Sequence, residues 1–134
     1  MSDLQAIVSA LLSADIRPIV CTPPPVPTTP VETPTRRRRW DQLNAWIKGW
    51  CPANRIQMVD VASKLRGDKD PIHWAHLLSN SRIRYGRNAG VSGNTLAQMR
   101  ARVQSDIIAP GDVDVCVVMG GTNDSGGGVA VSSR

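Results

Sequence analysis

The apolar run Val113-Asp114-Val115-Cys116-Val117-Val118-Met119, closed by Gly120-Gly121, most constrains what this chain can fold into. It is short, rich in β-branched residues and ends in glycine, so it reads as a buried strand. A helical stretch precedes it: Thr95 to Ile108 places Leu96, Met99, Val103 and Ile107 on one face, with Asn94 or Thr95 as its cap. Three further strand-like runs occur at Ile16–Val20, Ile56–Val61 and Ile83–Arg87, and the fourth spans Asp112–Met119. Strands separated by helices mean βαβ units and a parallel sheet.

The remaining helices follow the same logic. Asp3 to Ala14 gathers Leu4, Ile7, Val8, Leu11 and Leu12 on one face, capped by Ser2 or Asp3. Arg36 to Trp50 turns Trp40, Leu43 and Ile47 inward, and Cys51-Pro52 is expected to end it. His73 to Ser79 predicts a short helix. The stretch Cys21 to Thr35 holds six of the ten prolines and predicts an irregular loop of polyproline character. No internal repeat is visible. A chain of 134 residues makes one domain with room for a real core.

Composition narrows the function classes. Hydrophobic content of 41% is that of a soluble globular protein, and no apolar stretch reaches membrane-spanning length. Met1-Ser2-Asp3 does not begin a signal peptide, and the three cysteines lack metal-ligand spacing. The expectation is a cytoplasmic chain with reduced thiols, no membrane partner, no metal and no cofactor. Cys21 and Cys116 read as small buried hydrophobes. The net charge of +5 owes most of its excess to Arg36-Arg37-Arg38-Arg39. Such a run can bind nucleic acid or an acidic surface. Without a second basic cluster or an aromatic platform it reads instead as a solvated helix start, so nucleic acid is not an expected partner.

The chemistry lies in two loops. Asn88-Ala89-Gly90-Val91-Ser92-Gly93-Asn94-Thr95 is a Gly-rich turn that opens a helix, and Met119-Gly120-Gly121-Thr122-Asn123-Asp124 follows a buried strand. Open α/β sheets bind ligands at such strand ends. Backbone N–H groups at a helix start together with an Asn amide are the parts of an oxyanion hole. Taken singly, the Gly-rich turn also suits a phosphate or a plain tight turn, and Asn123 also suits a local side-chain to backbone bond.

Asn88-x-Gly-x-Ser-Gly and Gly121-Thr-Asn-Asp resemble the second and third sequence blocks of the SGNH (GDSL-type) hydrolases, and the resemblance runs from about Trp74 to Asp124. It implies oxyanion-hole roles for Gly93 and Asn123. Residues 1–66 resemble the later half of the same family: the strand ending Ile19-Val20-Cys21-Thr22-Pro23-Pro24, the helix around Leu43-Asn44-Ala45-Trp46-Ile47 and the strand ending Val59-Asp60 normally follow the Gly-Thr-Asn-Asp block. The chain therefore reads as a single, circularly permuted domain, a rearrangement tolerated when the old termini are close. The resemblance implies an α/β fold: a three-layer flavodoxin-like sandwich around a mostly parallel sheet of four to five strands. It implies hydrolysis of acyl or carbohydrate esters by Ser-His-Asp chemistry, with a small ester as substrate.

The join between the two halves departs from the pattern. Asp70-Pro71-Ile72-His73 matches the family's Asp-x-x-His block, which makes His73 the general base and Asp70 its orienting partner. From the residues alone, Asp70 reads as a helix cap and His73 as a partly buried polar side chain; His76 reads as a surface residue. Gly67-Asp68-Lys69 carries Lys where the family has its nucleophilic Ser, and the ten residues Leu65–Trp74 are too few for both blocks and a strand. The nucleophile block is thus missing or degenerate. Ser63, Ser92 and Ser125 are the substitutes to test. A missing central strand would leave backbone groups unpaired, unless the stretch Val61 to Asp68 is pulled in, the two neighbouring strands close up, or a partner chain fills the gap by strand exchange in a homo-oligomer. The alternatives are a non-catalytic binding or structural module on the same fold and a basic domain binding polyanions through Arg36–Arg39.

Overall fold

The computed structural model describes residues 1–24, 33–64 and 86–124. In chain order these form α1 (Ser2–Ser13), β1 (Arg17–Cys21), α2 (Pro34–Ala53), β2 (Gln57–Val59), α3 (Val61–Lys64), α4 (Leu96–Val103) with a π-helical continuation (Gln104–Ile108), and β3 (Val115–Met119). The strands make an open, all-parallel sheet in the order β2-β1-β3. Val20 lies opposite Met58 and Val118, and Ile19 opposite Gln57 and Val117.

That register sorts the sheet into two faces. Val20, Val118, Met58 and Cys116 share one face and join a single core with Leu4, Ile7 and Leu11 of α1, Leu43 and Ile47 of α2, and Leu96 of α4. The other face is open: Val59, Val115, Val117 and Met119 are 39%, 37%, 49% and 38% exposed. The α/β class is as expected, but the expected sandwich is not: among the described residues there are three strands, not four to five, and their helices cover one face rather than two. β3, expected to be buried, is half-open to solvent and has β1 as its one neighbour among the described residues. Of the predicted strand Ile83–Arg87, residues 83–85 lie outside the described residues, and Gly86 and Arg87 are not strand. The Arg87 guanidinium is instead held by the Asp112 carboxylate and by the Asp106 carbonyl.

Local chemistry explains the shifted boundaries. α1 begins at Ser2 with Met1 as N-cap, because Asp3 is drawn to Arg100 of α4 at 3.1 Å rather than capping the helix. α2 begins at Pro34, with Thr33 accepting from Arg36 N at 3.2 Å. It runs through Pro52 and stops only at Asn54, so Cys51-Pro52 lies within the last turn instead of ending it. The stop is made by Arg55 at φ +58, after which Ile56 N donates back to Cys51 O at 2.9 Å. α1 ends the same way, with Asp15 at φ +60 and Ile16 N on Leu11 O at 2.9 Å. In both, a left-handed residue reverses the chain and an isoleucine bonds back before the strand begins.

β2 ends at Val59, short of the expected Val61, because Asp60 turns outward to cap α3. Its carboxylate accepts from Ser63 N at 3.2 Å, while Thr22 Oγ1 accepts from Ala62 N at 2.9 Å. The loop after β1 is thereby tied to the loop after β2.

Candidate functional site

The two Gly-rich loops meet at the carboxyl end of β3. Asn123 Nδ2 donates to Asn94 O at 2.9 Å, and both Asp124 carboxylate oxygens accept from Leu96 N, at 3.2 and 3.0 Å. Asp124 therefore neutralises the first N–H of α4, where the helix dipole favours an anion. Thr95 is the N-cap and forms a reciprocal capping box with Gln98. The expected free N–H groups of this helix start are thus partly spent: Leu96 N serves Asp124 and Gln98 N serves Thr95. Gly93 lies beside Asn94 at φ +83, a conformation a side chain resists. Asn88 Oδ1 accepts from Gly90 N at 2.9 Å, and Arg102 holds the loop through Ala89 O at 3.3 Å.

Packing accounts for Gly120 and Gly121. A Cβ on Gly121, at φ +107, would stand 2.1 Å from Leu43 Cδ2, and one on Gly120 would stand 2.6 Å from Met99 Sδ. The strand end is bare so that α2 and α4 can close over it. Two polar groups stand out here: Asn123 Nδ2, which carries a second hydrogen, and Asn94 Oδ1, a buried acceptor with no partner.

A second constellation occupies the ends of β1 and β2. The Asp60 carboxylate receives Lys48 Nζ at 2.8 Å, Thr22 Oγ1 at 3.1 Å, and both the backbone N–H and the hydroxyl of Ser63. Burial works to raise its pKa, but the hydrogen bonds from Lys48, Ser63 and Thr22 outweigh it and hold the carboxyl well below the usual carboxylate range. Such a weak base cannot take the proton of Ser63, and the Lys48 ammonium donates to the same hydroxyl at 3.2 Å. Among the described residues, Ser63 Oγ thus meets a carboxylate and an ammonium and no histidine to activate it. Beside this network a cavity of about 200 Å³ opens between α2 and α3, bordered by Trp40, Asp41, Asn44, Lys48 and Ser63. Asn44 is buried with neither amide atom hydrogen-bonded, an arrangement that costs about 1–3 kcal/mol per unmet group.

Of the predicted site residues, Gly93 and Asn123 are brought into one constellation. Asp70 and His73 lie outside the described residues, as do His76 and Ser125. Ser92 is exposed on the turn before Gly93. Arg36–Arg39 fill the first turns of α2; successive helical positions rotate by about 100°, so four in a row fan around the axis instead of forming one stripe. Among the described residues, no group of three or more His, Cys, Asp or Glu is placed to hold a metal ion, and no helix is long and apolar enough to cross a membrane. Burial raises all three thiols, that of Cys21 to about 11. No family model, curated protein or solved structure matches the chain.

Sequence reading missed Asn44, Lys48 and the capping role of Asp124. For Asn44 the signal was available: it is the polar member of the stripe Trp40, Leu43, Asn44, Ile47, Cys51.

Proposed function

We propose that this chain is a circularly permuted SGNH-type ester-hydrolase domain acting on a small acyl or carbohydrate ester. In this reading Gly93 and Asn123 bind the oxyanion, Asp70 orients His73, and His73 is the general base. The observation that carries the reading is the Asn123 Nδ2 to Asn94 O bond, which draws two loops far apart in sequence into one cluster at the end of β3. The second Nδ2 hydrogen stays available to a developing oxyanion. The parallel neighbours β1 and β3 also suit the permuted order, and the reading extends to a flavodoxin-like sheet of four to five strands, completed beside β3 within one chain or by strand exchange.

The test is hydrolysis of p-nitrophenyl acetate by the purified chain. Turnover is expected to fall by about 10²–10³ on Asn123→Ala, the loss typical of one oxyanion donor, and to vanish on His73→Ala. Turnover that neither change lowers, or none at all, ends the enzyme reading.

A non-catalytic module on the same scaffold is the second reading. Asn94 Oδ1 favours it, because a buried acceptor with no partner in the loop that Asn123 holds disfavours an oxyanion there. It predicts ester or sugar binding without turnover, lost on Asn123→Ala.

A further inference from the structure

The run Arg36–Arg39, which the ester-hydrolase reading leaves unused, stands at an electrostatically unfavourable place. It fills the first turns of α2, no acid lies in the first turn, and the amino end of a helix is already positive. Among the described residues no carboxylate pairs with Arg36, Arg38 or Arg39; the ion pairs there are Lys48–Asp60, Arg87–Asp112, Arg100–Asp3 and Arg102–Asp106. An anion bound at this end of α2 relieves the mutual repulsion.

In the linear sequence no aromatic platform adjoins this run, but the helical spacing supplies one. Arg39, Trp46 and Trp50 stand at i, i+7 and i+11, within about 40° of one another around the axis. Trp46 and Trp50 stack on each other, with ring centroids 5.0 Å apart and planes 11° apart. Both pack against the core and both keep part of their surface in solvent. Asp41, the acid of α2, lies about 160° round the axis from Arg39, on the flank where Lys48 meets Asp60. The face that carries the stacked rings is thus positive.

We propose that this face of α2 binds single-stranded nucleic acid without sequence preference. Arg39, flanked by Arg36 and Arg38, meets the phosphates, and a base extends the stack of Trp46 on Trp50. A duplex keeps its bases stacked on one another, so the indoles select the single strand. A membrane-lying helix needs its apolar face free, whereas Leu43 and Ile47 of α2 are spent in the core. The face shares no residue with the Gly-rich loop pair, so this site is independent of the ester-hydrolase reading.

Two probes of equal charge test it on the full chain at low salt: an oligothymidylate of about twelve nucleotides and an abasic strand of the same length. Binding is followed by NMR of the indole N–H signals. The oligothymidylate is expected to bind with a Kd of about 10⁻⁵–10⁻⁴ M, the weaker end of non-specific binding. It should shift the Trp46 and Trp50 signals and leave that of Trp40, which is buried and donates to Pro24 O at 2.9 Å. The abasic strand should bind about tenfold more weakly, for want of a stacked base. Trp46→Leu should bring the oligothymidylate down to the affinity of the abasic strand. Arg39→Gln, on the solvent side of the helix start, should weaken both strands and reduce the slope of log Kd against log salt by about 0.7. Equal affinity for the two strands, unmoved Trp46 and Trp50 signals in the parent chain, binding of phosphatidylserine vesicles in place of the oligonucleotide, or no binding at low salt would overturn the proposal.

Discussion

The end of β3 and the ends of β1 and β2 spend their polar groups in opposite ways. At β3, Asn123 and Asp124 are used to hold a loop and a helix start, and Gly120 and Gly121 are bare because Leu43 and Met99 press on them. At β1 and β2, Asp60 is met by donors from three residues, yet Asn44 on the neighbouring helix meets none. A polar residue in a loop usually has structural work; one set in an apolar helical stripe without a partner does not. The difference makes the motif-rich end the better explained by architecture, and the motif-poor end the one with chemistry left over.

Substitutions at five positions test that contrast. The largest effect is expected for Gly121→Ala, where the new Cβ meets Leu43 and the left-handed backbone is strained: a loss of about 3 kcal/mol in urea unfolding. Gly120→Ala meets the movable end of Met99 at 2.6 Å and Leu96 Cδ2 at 3.1 Å, at an ordinary backbone conformation, and should cost about 1 kcal/mol. Equal losses would remove the claim that α2 shapes this strand end.

Asp60→Ala comes next, at about 2 kcal/mol, because Thr22, Ser63 and Lys48 lose their common acceptor. Since the folded pKa of Asp60 lies below the unfolded one, its contribution is complete above the ordinary carboxylate value of about 4 and is lost as pH falls through the folded value. Stability measured against pH should therefore decline in acid for the parent chain and be flatter for Asp60→Asn. An identical acid decline in both would show that Asp60 is not the linked group.

Asn123→Ala should cost about 1 kcal/mol through the bond to Asn94 O, whatever happens to turnover. The smallest effect carries the opposite sign: Asn44→Leu should raise stability by up to about 1 kcal/mol, since an apolar side chain of similar volume replaces two unmet polar atoms. A loss of stability would mean that the Asn44 amide is satisfied after all.

Much of the architecture was legible in the residues. The helical stripes of Leu4, Ile7, Val8 and Leu11, of Trp40, Leu43 and Ile47, and of Leu96 and Met99 all face the core as read, because a 3.6-residue period and apolar burial act locally. The alternation of helix and strand also implied a parallel sheet, and β2-β1-β3 is parallel. Boundaries were less legible. Pro52 predicts a stop, yet the chain leaves α2 at Arg55, where a left-handed turn returns Ile56 to Cys51. Asp60 falls within a predicted strand, yet it caps α3 through Ser63 N, beside Thr22 arriving from the end of β1. At the site, Gly93 and Asn123 were legible from loop chemistry, while the engagement of Asn123 with Asn94 required the two loops to be seen together.

The sequence alone determined the class: apolar β-branched runs alternating with amphipathic helices bury their surface only as a helix-covered parallel sheet. It also determined where loops end in glycine and asparagine. Tertiary structure alone decided which polar atoms those loops leave free. It turned Asp124 into a helix cap, made Asp60 a weak base, left Val115, Val117 and Met119 of β3 exposed, and stranded the Asn44 amide without a partner. The physical reason is that burial and pairing of a polar group depend on neighbours distant along the chain, which no local period or motif encodes.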